Sequence, residues 1–332
     1  MSGWLARFLR SGVIDGLDKV RKSGQFSAMG WLKRVLILVC GLHALVVFAE
    51  PRDEAASLIA KYRDTEAMTA RLNAFSSEFL GLPYGTTGPL GEGLSGRYDQ
   101  DPLYRFDTFD CTTFVETVVS LSLSTNVDAF ETSMNRIRYE GGEVEFLKRN
   151  HFPSLQWIPN NLLNGIFEEA NSKVLPDEEL SLAEAMIDIG GWLKKSGPGL
   201  IQIPGLSTSE RTERGLELQG QADRFSPVRA TLKYLPIARL LRDSALLRRI
   251  PDGALINFVR PNWDLIASTG TRMNVSHQGL VFNTSKGIRL RHASVSGEKR
   301  VMEVSLLTYL KAFENHPTMK GIHLLTLRQS GL

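Results

Sequence analysis

Phe109-Asp110-Cys111-Thr112-Thr113-Phe114-Val115-Glu116 contains the only cysteine outside an apolar N-terminal stretch. Downstream of it Phe114, Val115, Val118 and Leu121 fall on one helical face, so the spacing predicts a helix from Cys111 to about Ser124. Two caps compete. Asp110 or Thr108 would start the helix at the cysteine, whereas the capping-box pattern Thr113 to Glu116 would start it two residues later. Either choice leaves the thiol at the positive end of a helix, where exposed N–H groups favour thiolate. Glu116 is expected to cap or to face solvent.

Far downstream, Asn274-Val275-Ser276-His277-Gln278-Gly279-Leu280 and Arg289-Leu290-Arg291-His292-Ala293-Ser294 read as two strands around Asn283-Thr284-Ser285-Lys286-Gly287. With the loop centred between Thr284 and Ser285, paired residue numbers sum to 569, and His277 and His292 become direct neighbours on one face. Their β-carbons would then stand ~5 Å apart; a one-residue slip would send them to opposite faces. A cysteine nucleophile needs a base and a third group that orients the base. Cys111, His277 and His292 supply those roles in that order. The Cys111 N–H would meet the developing oxyanion, with the Tyr84 hydroxyl as candidate second donor. Two histidines and a cysteine could instead hold zinc, but no short ligand-pair spacing supports this, and neither metal nor cofactor is expected. His151, His316 and His323 have no partner pattern and are read as structural.

The N-terminal stretch reads as a secretory leader. Val35 to Phe48 is an apolar run of 14 residues, preceded by Lys33-Arg34 and closed by Val47-Phe48-Ala49 ahead of Glu50. It is short for a membrane span of ~20 residues, so the membrane is a partner only if the leader stays uncleaved. Met29 is a plausible initiator. Cys40 follows Val39 rather than the small residue a lipidation site wants. The expectation is a leader over 1–49, a cut after Ala49, and a periplasmic domain over 50–332. In an oxidising compartment a structural cysteine normally has a partner, and Cys111 has none in that domain.

Taking the leader's seven basic and two acidic residues from the chain's 39 and 36 leaves 32 and 34. The basic balance therefore belongs to the leader. With no basic stripe and interleaved aromatics, nucleic acid is excluded as a partner. Along the domain, 50–80 reads as helical. Gly81 to Gly93 is a glycine- and proline-rich loop, 127–149 a helix or helix-strand pair, and His151 to Asn161 an aromatic, proline-rich loop. Residues 171–235 read as irregular, with 197–220 exposed and mobile. A helix over about 237–248 and a strand over 254–259 follow.

Taken in order, Pro83-Tyr84-Gly85, Asp110-Cys111, His277-Gln278-Gly279-Leu280-Val281 and His292-Ala293 resemble the NlpC-type papain-like cell-wall peptidases. The match is closer to the N-acetylmuramoyl-L-alanine amidase-like family also known as domain of unknown function 1460. Asp-Cys-Thr-Thr-Phe-Val-Glu, Ile137-Arg138-Tyr139, His151-Phe152 with Trp157 and Asn161, Tyr234-Leu235-Pro236 and Leu290-Arg291-His292-Ala293-Ser294 carry it, over about residues 70–328. The resemblance implies an α+β, papain-like fold, with the nucleophile's helix packed by its N-terminus against an antiparallel sheet and a long insertion, about 127–235, between cysteine and histidine. It implies Cys111 as nucleophile, His277 as base and His292 as orienter, with Tyr84, Asp110, Thr112 and Trp157 facing substrate or oxyanion. Peptidoglycan or muropeptides would be the partner, cut at the muramoyl–L-alanine amide or, as in the wider superfamily, at D-glutamyl-diaminopimelate. A non-catalytic wall-binding module is the alternative of a different class. Thr112-Thr113 stand where compact NlpC domains have Ser-Gly, and the Cys111-to-His277 stretch is longer than theirs.

Overall fold

The computed structural model describes residues 50–85 and 91–328. The leader with Met29, Cys40 and Ala49, and the middle of the glycine-rich loop at 86–90, lie outside the described residues. Ten helices are described: α1 Pro51–Lys61, α2 Met68–Glu78, α3 Cys111–Ser122, α4 Val127–Arg138, α5 Ile158–Leu163, α6 Ile189–Ser196, α7 Thr208–Gln219, α8 Ile237–Arg242, α9 Ile266–Thr269 and α10 Leu306–Lys311. The strands are β1 Phe167–Glu169, β2 Ser181–Ile187, β3 Val228–Pro236, β4 Ala254–Leu265, β5 Thr271–Thr284, β6 Gly287–Ala293, β7 Val301–Ser305 and β8 Gly321–Leu327. They form one sheet in the order β2-β3-β8-β4-β5-β6-β7, with β1 added to β8. Every pairing is antiparallel. The fold is α+β.

Strand alternation divides the core. Leu255, Val259, Leu280 and Phe282 face α1 to α4, packing on Leu72, Phe75, Phe114, Val118 and Phe130. Ile256, Phe258, Val281 and Leu290 face the other way, onto Ile237 and Leu240 of α8 and Leu306 and Leu310 of α10.

Helix α3 is the hub of the first layer. From Thr113 to Ser122 every residue is buried, polar ones included, so the helix is enclosed all round and has no solvent face. Its β-branched valines are modest helix formers, and burial against α2, α4, β5 and β6 outweighs that preference. Asp110 is the N-cap and forms a capping box with Thr113, which settles the competition in favour of the earlier start. At the other end Arg71 of α2 donates to the carbonyls of Ser122 at 2.7 Å and Leu121 at 3.3 Å, and to that of Ser124, satisfying acceptors the helix cannot pair itself.

Three readings of the sequence need correction. His151 to Asn161 is not a loop: Pro153–Trp157 forms a π-helical turn that runs into α5, each with a proline in its first turn, where the missing N–H costs nothing. Residues 171–235 are not irregular: they hold β2, α6, α7 and β3, whose Ala185, Ile187, Trp192, Leu193, Leu218 and Ala230 form a further apolar cluster. Short elements broken by Gly197-Pro198-Gly199 and Gly220 masked the pattern. Glu116 does not face solvent. It is 2 % exposed, paired with the equally buried Arg138 at 2.9 Å, and it accepts the Trp157 indole N–H at 3.0 Å.

Removing one partner of a buried pair strands the other charge. Arg138→Met is therefore expected to lower the unfolding free energy by about 3–5 kcal/mol in urea titrations. A loss below about 1 kcal/mol would show that Glu116 finds compensation elsewhere.

Candidate active site

Cys111 is the first residue of α3. The Thr112 and Thr113 N–H groups both donate to Asp110 Oδ1, at 2.9 and 2.8 Å, and the Phe114 N–H to the Asp110 carbonyl. Among the described residues the Cys111 N–H has no acceptor. The thiol lies against β5, within reach of the Gln278 backbone N–H one residue along from His277, and Thr112 Oγ1 is 3.9 Å from the sulfur. The residue is only half-buried, yet burial of the sulfur, helped by the Asp110 carboxylate, pushes the thiol up to about 12. The helix N-terminus alone led to the opposite expectation of a thiolate; desolvation outweighs it.

The hairpin register is shifted from the expected one. Thr284 pairs with Gly287 and Leu280 with Arg291, so paired numbers sum to 571 around a two-residue turn, Ser285-Lys286. A shift of two leaves the faces unchanged. His277 and His292 thus become diagonal rather than direct neighbours, and their rings still meet, with Nε2 of His277 2.7 Å from Nδ1 of His292. Continuing the same register puts Gly279 opposite His292. A β-carbon there would lie 2.8 Å from Leu290 Cδ1 and 3.1 Å from His292 Cβ, so the glycine leaves room for the second ring. Neither Asn274 nor Gln278 competes for His277, because their side chains bond Ala230 and Asn257.

Burial, followed by the neighbouring His292 and Arg260, depresses His277 well below the usual histidine range, and burial brings His292 down to about 4. Both rings are neutral at neutral pH. If His277 Nδ1 is kept bare to accept a proton, its Nε2–H must donate to His292 Nδ1, and His292 then carries its hydrogen on Nε2. That nitrogen is buried without a hydrogen-bond partner among the described residues, and its ring packs edge-on against Tyr309 at 5.3 Å.

Tyr84 is strapped beside the helix start by its N–H to the Lys299 carbonyl at 2.7 Å and a parallel bridge to Phe109. Burial, then the charges of Cys111 and Asp110, push its phenol upward, which puts it within electrostatic reach of both. Asp110 is fully buried, with Oδ1 committed to the cap and Oδ2 without a hydrogen-bond partner among the described residues; burial raises it to about 6. Trp157 and Thr112 line the same small cleft. Trp157 itself is 1 % exposed with its N–H held by Glu116, which makes it a support behind α3 and not a substrate-facing residue.

Three features carried no sequence signal. Tyr309 of α10 feels Cys111 and packs on His292. Arg260 donates to Ser276 Oγ at 3.1 Å and to the Thr318 hydroxyl beside His277. His323, read as partnerless, joins a buried chain: its Nε2 donates to Glu169 at 2.8 Å and Asn257 Nδ2 donates to its Nδ1 at 3.1 Å. Gln278 Nε2 completes the chain by donating to Asn257 Oδ1 at 2.8 Å. Asn257 stands directly opposite both His323 and Gln278, so the chain crosses the sheet and ends on Gln278, next to His277 on β5. A cavity of about 1070 Å³ between α2 and β8 includes none of these groups. Among the described residues no three His, Cys, Asp or Glu side chains are grouped to hold a metal ion.

The model of the AmiA-like family, described as N-acetylmuramoyl-L-alanine amidase-like, matches residues 74–319. The chain belongs to this family. Among solved structures, a Legionella pneumophila protein of domain-of-unknown-function family 1460 is 31 % identical, with a TM-score of 0.79 over 84 % of this chain and 96 % of its own. A Bacteroides uniformis N-acetylmuramoyl-L-alanine amidase is 23 % identical, with a TM-score of 0.55 over 79 % of this chain and 99 % of its own, a likeness of fold. The curated proteins contain no match.

A protonated resting thiol has a kinetic signature. Iodoacetamide labelling of Cys111 is expected to speed up about tenfold per pH unit through pH 9, with no shoulder near pH 6–7. A plateau near neutrality would show a standing thiolate–imidazolium pair.

Proposed function

We propose that this amidase-like protein is an exported cysteine hydrolase of papain-like, NlpC type that cuts the amide between muramic acid and L-alanine in peptidoglycan or its fragments. The observation that carries the reading is an unpaired N–H and thiol at the start of a capped helix, set against a strand whose histidine is hydrogen-bonded to a second histidine. Family membership and the amidase name of a fold neighbour support the substrate class.

In this reading the substrate carbonyl is attacked by the Cys111 sulfur as its proton passes to His277 Nδ1. The oxyanion is received by the Cys111 N–H and the Tyr84 hydroxyl. Collapse breaks the C–N bond, with His277 returning the proton to the leaving amine, and a thioester remains. Water, deprotonated by His277, then releases the muramoyl acid and restores the thiol. His292 accepts from His277 Nε2–H throughout and steadies the imidazolium. Because the resting pair is neutral, ionisation of the thiol is coupled to substrate arrival.

The purified protein is expected to release soluble fragments from sacculi with new L-alanine amino termini by mass spectrometry. Cys111→Ala should release none, His277→Ala should lose about 1,000-fold or more in kcat/KM, and His292→Ala should keep a weak remainder. New diaminopimelate amino termini would move the cut to the D-glutamyl bond. A folded wild type that binds sacculi and leaves them intact would favour a wall-binding module.

Export is part of the proposal. N-terminal sequencing of the protein from the periplasmic fraction is expected to begin at Glu50. An N-terminus upstream of Val35 would mean a retained anchor, and recovery from the cytoplasm alone would remove access to the intact wall.

A further inference from the structure

The site contains a cation that the hydrolytic chemistry does not use. Strands β4 and β5 lose register twice beside His277. Phe258 pairs with His277 and Val259 with Val275, so Ser276 is an extra residue on β5. Pairing resumes only at Trp263 with Met273, leaving Arg260-Pro261-Asn262 opposite Asn274 alone. Both irregularities have local causes. Pro261 cannot donate to a ladder and is found in strands at bulges. Asn262 adopts φ of 49°, which asparagine tolerates, and Asn274 Oδ1 accepts its N–H at 3.2 Å. Bulges beside a site redirect side chains, and here the redirected one is Arg260.

Its guanidinium is held in place. Nε donates to Ser276 Oγ, Nη1 to Thr318 Oγ1, and the group lies over the Trp263 ring at 4.9 Å from the centroid. These contacts are to neutral groups: among the described residues no carboxylate pairs with Arg260. Elsewhere Arg138, Arg149, Arg239, Arg272, Arg289 and Arg291 each have an acidic partner. Arg260 is also half-buried, so its charge is poorly compensated by water, and His277 and Tyr309 both feel it. An oriented, unpaired guanidinium with Nη2 free is a receptor for a planar anion, and carboxylate is the one its fork fits. His277 hands its proton to the leaving amine, so a cation beside His277 stands on the leaving-group side of the scissile bond.

We propose that Arg260 is the subsite for a free carboxylate on the leaving peptide, so that the site selects acidic stem peptides over amidated ones. The inference rests on the hydrolase reading for its substrate. Its chemistry, a carboxylate captured beside His277, is separable from turnover.

The experiment compares N-acetylmuramoyl-L-alanyl-D-glutamate, the acid, with the same compound amidated at both glutamyl carboxyls, using the full chain. Wild type is expected to prefer the acid by about 10- to 100-fold in kcat/KM, the range of a charge-assisted hydrogen bond. Arg260→Gln should lose that factor on the acid relative to the amide, through KM; the acid-to-amide ratio is the readout, because the Arg260 charge also acts on His277 and bears on both substrates alike. Arg260→Lys, which keeps the charge without the fork, should fall between. Calorimetry of the Cys111→Ala protein with the same two ligands reads the subsite without chemistry: the acid should bind at least tenfold tighter, and adding Arg260→Gln should equalise the two. Equal handling of acid and amide by wild type, or undiminished preference in either Arg260 variant, overturns the proposal. Tighter binding of the acid to Cys111→Ala with no cleavage of either compound by wild type would keep the subsite and defeat the hydrolase reading.

Discussion

The cap that Asp110 places on α3 is the contact from which the site is built. One carboxylate oxygen absorbs two of the first-turn N–H groups and fixes where the helix begins, so that Cys111 and not Thr113 becomes its first residue. The same choice leaves the Cys111 N–H unspent. Because α3 is buried along its length and Arg71 closes its far end, the helix cannot slide or fray to relax the thiol's position. The arrangement has an electrostatic cost: the capping carboxylate lies beside the sulfur and, with burial, holds the proton on it. A thiol buried this way trades standing reactivity for protection from oxidation.

The sheet supplies the other half of the site through irregularity. Regular antiparallel pairing would have turned Arg260 and Ser276 by strict alternation. The two bulges break that rule in succession just before His277 on β5 and collect hydroxyl, guanidinium and imidazole at one place. Behind them the Glu169–His323–Asn257–Gln278 chain ties four strands together from within. Buried polar chains of this kind favour one arrangement of the strands they join, and this one runs from an exposed carboxylate to Gln278, next to His277 on β5.

Much of this could be read before the fold was known, and the exceptions share a cause. The helix at Cys111, the two-strand frame around Ser285-Lys286 and the pairing of His277 with His292 follow from local periodicity and turn residues. The histidine pairing tolerated an error in register because two residues is a whole period of a strand. Glu116 and Trp157 were misplaced because burial depends on Arg138 and α4, brought in from elsewhere in the chain. Arg260 and Tyr309 could not be assigned at all: one is aimed by a bulge and the other stands on a short helix, and neither position leaves a periodic trace. Residues 181–236 hid regular elements between glycine and proline breaks.

The sheet order also constrains how the molecule can be made. β8, the last strand, is not an edge: it lies between β3 and β4 and carries β1 as well. The strands before it can therefore form only two separate pieces, the β2-β3 pair and the β4-β5-β6-β7 meander, which β8 joins. Completing the sheet joins segments as far apart in sequence as Phe167 and Leu327, a topology expected to be slow and to expose apolar strands meanwhile. Loss of β8 would therefore divide the sheet in two, where loss of an edge strand such as β7 would only shorten it.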